Sequence, residues 1–513
     1  MSNNKQIVRN ISASFLSYGM SLLISFFLTP YLIESVGKEA YSFFPLVNSM
    51  IGYTEIITAA IGSMIGRYIT MAYYGHDMEG TKGYFNSALT AYIGLSVIFS
   101  IIGVFVLIYI DSILNIPEGL TEQVQILFGL ALLGYCLGLC TNLLGIGTYV
   151  KNRMDLSTMA GFIKSIVYFV LVIAFFALFP PTIVYISIAS FVSILVGIGF
   201  NLFFKKRFLS EVTIQPMRYF SWEKIRTVLN SGIWMSINSL SSIITTTIDL
   251  LLTNIFISAA ATGDFSISKT IPSFITTLSF FVFSSFTANF NILYAQHRHE
   301  ELLHEIKKAM IIMSFMLSVP IGYFMVNSDY FFQLWVHSAY TPDMVWLSLI
   351  ALILAATGYS TNALYSVYTI TDKRKVPALV LLVTGTSNLL LVFILLKYTN
   401  MGVYAIAISS AVTLGLRNLI FTPIYGARCL NLKPQTFYPV IIKGIVGIFI
   451  VVIIGLLSKL FMPNITWTTF IVNAFIVCSL SLIANYYFFL KKEERQYLLS
   501  VAYNKISIFM RWS

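Results

Sequence analysis

The chain has 513 residues, 57 % of them hydrophobic and only 10 % charged, with 32 Lys and Arg against 21 Asp and Glu for a formal net charge of +11. So little polar surface excludes a soluble globular protein of this length, because such a fold must face water with polar and charged groups. The positive balance does not point to nucleic acid either: the cations cluster at the edges of apolar segments, where anionic lipid headgroups account for them.

In chain order, fourteen apolar segments follow one another, near 11–33, 41–69, 84–110, 123–149, 157–179, 182–204, 227–257, 265–292, 306–327, 343–370, 376–396, 402–427, 439–460 and 466–490. A helix of roughly 20 residues crosses a hydrocarbon core ~30 Å thick, so these segments and their short connections use up nearly the whole chain. The expected fold is an all-α membrane protein with fourteen transmembrane helices.

The first segment, Ile11 to Ile33, is too long for the apolar part of a leader and has no small-residue cleavage site before Glu34, so it is read as a retained helix. In the second, Glu55 lies mid-span on one helical face with Asn48, Gly52, Thr58 and Gly62, and Arg67 closes the inner end. Such a stripe suits a water-lined cavity or a close helix contact. Cys136 and Cys140 are four apart on the fourth segment, and Cys429 and Cys478 lie in or beside later ones. With no His or acid nearby they read as packing residues, and no metal site is expected. Lys164 sits about 10 Å inside the fifth segment at 1.5 Å per residue. It either faces a cavity or reaches back to the surface along its own stem.

The seventh segment carries Asn238, Ser242, Thr245, Asp249 and Thr253 at helical spacing. Lys269 is one turn into the eighth from the outside, where it either pairs with Asp249 or meets substrate. The outer stretch from Asn327 to Met344, with Trp335, Tyr340 and Trp346, reads as an aromatic interface belt. Arg417 lies deepest of the cations, in the twelfth segment one turn after Thr413 and with no acid on its own helix. Lys443, near the inner end of the thirteenth, is read as snorkelling. The tail 491–513 places Leu498, Val501, Ala502, Ile506, Phe509 and Met510 on one side, as in a helix lying on the inner membrane surface.

Orientation follows from the loops. With the N-terminus inside, the inner loops and both tails hold a large excess of Lys and Arg, concentrated at Lys205-Lys206-Arg207, Lys373-Arg374-Lys375 and Lys491-Lys492, while the outer loops lean acidic. Both termini are therefore expected to be cytoplasmic. Ser14, Tyr18, Ser21, Ser25 and Thr29 of the first helix map onto Asn238, Ser242, Thr245, Asp249 and Thr253 with an offset of 224, which also carries Tyr41-Ser42 onto Phe265-Ser266. Two six-helix lobes in a parallel pseudo-twofold repeat are expected, 1–207 and 227–428, joined by a cytoplasmic linker 208–226 and followed by helices 13 and 14 in 429–490. Two halves rocking around a central site is the architecture of a transporter.

The stretches PYLIESVGKEAYSFFPLVNSMIGY, GSMIGRYI, SGIWMSINSL with the Asp249 helix, and GDFSISKTIPSF resemble the polysaccharide transporters of the multidrug/oligosaccharidyl-lipid/polysaccharide (MOP) superfamily. In kind these are Wzx-like O-antigen or capsule flippases and teichoic-acid flippases. The resemblance covers essentially the whole chain, and the pair of helices beyond twelve favours the lipid-linked branch over the multidrug exporters. It implies a flippase in the bacterial cytoplasmic membrane that moves a polyprenyl-pyrophosphate-linked oligosaccharide outward by alternating access. It further implies a monomer with no cofactor beyond a coupling proton or sodium ion, working among membrane lipids and beside polysaccharide polymerase or assembly proteins.

A pyrophosphate must be held by cations in a low-dielectric cleft. The candidate substrate residues are therefore Arg67, Lys164, Lys269 and Arg417, with Arg67 also explained as a headgroup contact. Glu55, Asp249, Asn238 and Thr245 are the candidate coupling and polar-cavity residues; Glu55 serves equally well as a protonated structural group. No nucleotide-binding lysine loop, HExxH or nucleophile elbow is present, so no catalytic residue is named. A small-solute exporter of the same superfamily and a membrane enzyme of polysaccharide synthesis stand as alternatives.

Overall fold

A computed structural model describes residues 3–462 and 466–489; the expected surface helix in 491–513 lies outside the described residues. Every regular element among the described residues is helical. In lipid a chain must satisfy its own backbone groups, and helices do so within one segment.

The first segments fold as α1 (Asn3–Val36), α2 (Lys38–Gly52), α3 (Glu55–Tyr74), α4 (Met78–Ile108), α5 (Thr121–Asn142), α6 (Met154–Leu178) and α7 (Ile183–Phe208). After a linker come α8 (Trp222–Ser242), α9 (Asp249–Phe256), α10 (Ala259–Ser268), α11 (Thr270–Ala295) and α12 (His299–Val336). The chain closes with α13 (Pro342–Gly358), α14 (Ala363–Ile370), α15 (Lys375–Tyr398), α16 (Val403–Leu416), α17 (Thr422–Cys429), α18 (Tyr438–Phe461) and α19 (Trp467–Phe489). Among the described residues, 11 helices are long and apolar enough to cross a membrane, and 13 if two bent pairs count as single spans. Those pairs are α8 with α9, bent by 42°, and α13 with α14, bent by 47°. The expected segment 265–292 is also helical, as α10 and α11, and stands outside that set.

Several expected spans are interrupted. The second breaks at Tyr53 and Thr54, where Thr54 Oγ1 donates to the Ile51 carbonyl at 2.6 Å. The seventh passes through a π-turn, Ile243–Thr247, in which the Ile248 N–H reaches the Ile243 carbonyl at 2.9 Å. A second π-turn, Arg417–Phe421, joins α16 to α17. One extra residue per turn rotates the faces above and below it, and such turns concentrate at functional sites.

Backbone proximity groups the chain into two compact units, residues 1–266 with 381–386, and residues 267–380 with 387–513. In the first, α8 packs along α3 so closely that a Cβ on Gly232 would lie 2.1 Å from the Ala60 carbonyl oxygen. Tyr68 and Ser231 hydroxyls meet beside that contact at 2.7 Å. These contacts place α8 with the first unit, although the sequence repeat assigns it to the second lobe. In the second unit α18 and α19 are tied to α12: Lys459 Nζ meets Asp329 Oδ2 at 2.7 Å, Asn485 Nδ2 donates to Ser318 Oγ at 3.0 Å, and the Tyr323 hydroxyl donates to the Phe470 carbonyl at 3.2 Å.

Candidate functional site

The first unit contains two neighbouring polar cavities. The larger, about 400 Å³, lies among α1, α2, α6 and α7 and is lined by Ser21, Ser25 and Thr29, by Tyr41, by Lys164, Ser165 and Tyr168, and by Ser190 and Ser193. The other, about 320 Å³, lies among α5, α6 and α7 and is lined by Tyr135, Thr141 and Asn142, by Ser157 and Lys164, and by Asn201. Lys164 belongs to both. Its stem crosses the bare backbone of Gly197 on α7, where an added Cβ would come within 2.7 Å of Lys164 Cδ. A glycine at that point is what leaves room for the lysine.

The remaining lining is uncharged. Among the described residues around the two cavities there is no Asp, Glu, Arg or His, so Lys164 is the one basic side chain there and has no acidic neighbour in the lining. Hydroxyls on α1, α2, α5, α6 and α7 line the two cavities with it, and Asn201 Nδ2 donates to Asn142 Oδ1 at 3.2 Å on the side of the smaller cavity. Such a chamber offers one cation for an anion and many neutral donors and acceptors for hydroxyl-bearing cargo.

Beyond the larger cavity the seam between α1 and α6 stays polar to the N-terminal ends of both helices. Ser21 and Ser165 hydroxyls are 3.5 Å apart, and Ser17 Oγ donates to the Thr158 carbonyl at 3.3 Å. At the bottom Asp155, whose side chain is 1 % exposed, pairs with Arg9 at 2.9 Å and Arg153 at 3.1 Å. Gln6 Nε2 donates to the same carboxylate at 2.9 Å, and the Asp155 N–H donates to Asn10 Oδ1 at 3.0 Å. Sequence reading missed this clasp, and its only local signal was an acid just after the short-loop cations Lys151 and Arg153.

Of the four predicted cations, Lys164 is the one that lines either cavity. Arg67 is exposed on α3 and Lys269 is half-buried between α10 and α11. Arg417 opens its π-turn in the second unit, where its Nη1 donates to the Tyr365 hydroxyl at 3.2 Å and its guanidinium lies 5.2 Å from the ring centre. Tyr365 in turn donates to Asn418 Oδ1 at 3.2 Å. Glu55 is exposed at the start of α3, just past the break in the second span. Asp249 is buried at the head of α9, where Thr253 Oγ1 donates to its carbonyl at 2.7 Å. Thr245 is buried within the π-turn with its hydroxyl on the Ser241 carbonyl, and Asn238 is half-buried on α8.

The sequence profile of a family described as "Polysaccharide biosynthesis protein" matches residues 7–290. A Bacillus subtilis (strain 168) protein, "Uncharacterized membrane protein EpsK", is 25 % identical over 446 residues, covering 85 % of this chain and 86 % of that one. Among solved structures, an inward-facing multidrug resistance MATE family transporter of the MOP superfamily is similar with a TM-score of 0.66 and 16 % identity, covering 83 % of this chain and 98 % of that one. The lipid II flippase MurJ in an inward closed conformation is similar with a TM-score of 0.65 and 14 % identity, covering 93 % of this chain and 98 % of that one. The multi-pass helical fold is therefore that of MOP superfamily transporters.

Proposed function

The chain belongs to the polysaccharide biosynthesis protein family, and from that membership we propose that it is a flippase carrying a polyprenyl-pyrophosphate-linked oligosaccharide from the inner to the outer leaflet of the bacterial cytoplasmic membrane. The observation that carries the reading is the pair of cavities sharing Lys164 and lacking any lining carboxylate. The Lys164 ammonium holds the pyrophosphate while the hydroxyls and amides around it take the sugar. In a low-dielectric chamber such a charge-assisted contact is stronger than in water.

The rival within the same superfamily, an exporter of cationic drugs, fits this chamber poorly, since a cation gains nothing from a lysine. Coupling to a proton or sodium gradient falls to Asp249 rather than Glu55 in this reading, because Asp249 is buried and Glu55 is exposed. With both termini cytoplasmic, the polar seam between α1 and α6 leads from the inner surface to the chamber. Deletion of the gene should cause a lipid-linked oligosaccharide to accumulate on the cytoplasmic leaflet, identifiable by mass spectrometry. A deletion strain with normal surface polymer and no such intermediate would refute the proposal.

A further inference from the structure

The linker between α7 and α8 is fastened to α4 and yet outwardly apolar. Asn86 and Ser87, both fully buried on α4, fasten it at four points. Asn86 Nδ2 donates to the Thr213 carbonyl at 2.9 Å and its Oδ1 accepts the Gln215 N–H at 2.8 Å. Ser87 Oγ accepts the Ser221 N–H at 2.8 Å and donates to the Tyr219 carbonyl at 3.5 Å. Leu209 and Val212 anchor the same strip in a core with Ile65, Phe85 and Val228. The far side of the linker presents Ile214, Met217, Phe220 and Trp222 outward, with Met217 wholly exposed at 103 %.

Outward presentation of four large apolar groups needs something to cover them. The depth of the linker says what that is. Asn86 and Ser87 lie just inside the apolar run of α4, which begins at Tyr84, so the linker is held where water gives way to acyl chains. Apolar and aromatic side chains projecting at that level suit the headgroup boundary. The surrounding charge is complementary to anionic lipid: Lys205, Lys206, Arg207, Arg218, Lys224 and Arg226 outnumber Glu211 and Glu223.

We propose that residues 207–222 form an inner-leaflet docking surface that inserts Met217 and Trp222 among the headgroups and binds anionic phospholipid through Arg207 and Arg218. This surface is independent of the cargo reading, since it uses no cavity residue.

The test uses the full chain in lipid nanodiscs of phosphatidylcholine with or without phosphatidylglycerol, with an environment-sensitive fluorophore on Met217→Cys. The label should shift to the blue, be quenched by a lipid carrying a headgroup-proximal nitroxide, and resist aqueous iodide. Phosphatidylglycerol should deepen the lipid quenching, and Arg207→Gln with Arg218→Gln should abolish that increment. Should the cysteine variant fail to fold, the difference in brominated-lipid quenching between the wild type and Trp222→Phe reads the same insertion from native fluorescence. Strong iodide quenching without lipid quenching overturns the proposal, as does insertion indifferent to phosphatidylglycerol. Protection that appears only on adding cytoplasmic extract would assign the face to a protein partner and also overturn it.

Discussion

Two glycines separate what the site needs from what the fold needs. A methyl on Gly197 would meet the flexible end of Lys164, with Cδ at 2.7 Å and Cε at 3.0 Å. Gly197→Ala should therefore leave the protein folded, push the ammonium out of place and slow cargo movement, whereas Gly138→Ala, facing only Asn142 Nδ2 at 4.0 Å, should change little. Transport rates in proteoliposomes decide this, and equal rates for the two variants would refute the placement of Lys164. A methyl on Gly232 meets backbone that cannot swing aside, 2.1 Å from the Ala60 carbonyl oxygen. Gly232→Ala should cost about 1–3 kcal/mol or more as overpacking, visible as a lower thermal aggregation midpoint in detergent; an unchanged midpoint would contradict the close approach of α3 and α8. Lys164 was legible in the sequence because a cation inside an apolar run is costly and demands a reason. Gly197 was not, since nothing in one helix tells which glycine lies under a lysine of another.

The pairing of α1 with α6 rests on a polar seam that ends in the Asp155 clasp. Breaking a buried ion pair by removing one partner typically costs ~3–5 kcal/mol, and Asp155 sits between two arginines and accepts from Gln6 as well. Asp155→Ala should accelerate amide hydrogen exchange in residues 6–21 and 152–165 and leave α12 and α18 unchanged; uniform or absent change would contradict the clasp. Arg9→Ala should do far less, because Arg9 is half exposed and such contacts are worth ~0–1 kcal/mol. Hydropathy located these helices well, since a run of apolar residues is a local property. The breaks at Tyr53–Thr54 and Ile243–Thr247 escaped it because a window averages across them. Their consequence is larger than their size. The stripe joining Asn48 to Gly62 was drawn on one uninterrupted helix, and the break divides it, with Asn48 and Gly52 on α2 and Glu55, Thr58 and Gly62 on α3, where Glu55 is exposed and Thr58 buried. The clasp escaped for a different reason, its partners on α1, Gln6 to Asn10, being 145 to 149 residues from Asp155 in the chain.

For the whole molecule, composition and loop charge already required a multi-pass helical membrane protein, and the MOP-type fold bears that out. Among the described residues eleven to thirteen helices are long and apolar enough to cross where fourteen crossings were expected, because bends and breaks divide some of the expected spans into shorter helices. A fold of this kind serves several cargoes, so the cargo must be argued from the chamber. The chamber's single cation is the point on which the account rests. Outward movement of a labelled polyprenyl-pyrophosphate oligosaccharide, followed in proteoliposomes of the purified protein, tests it most directly. Lys164→Gln should slow that movement by at least about tenfold, from the ~1.5–3 kcal/mol of a charge-assisted hydrogen bond, and Lys164→Arg should restore most of it. Movement of the anionic cargo at the wild-type rate by a folded Lys164→Gln protein would contradict the account.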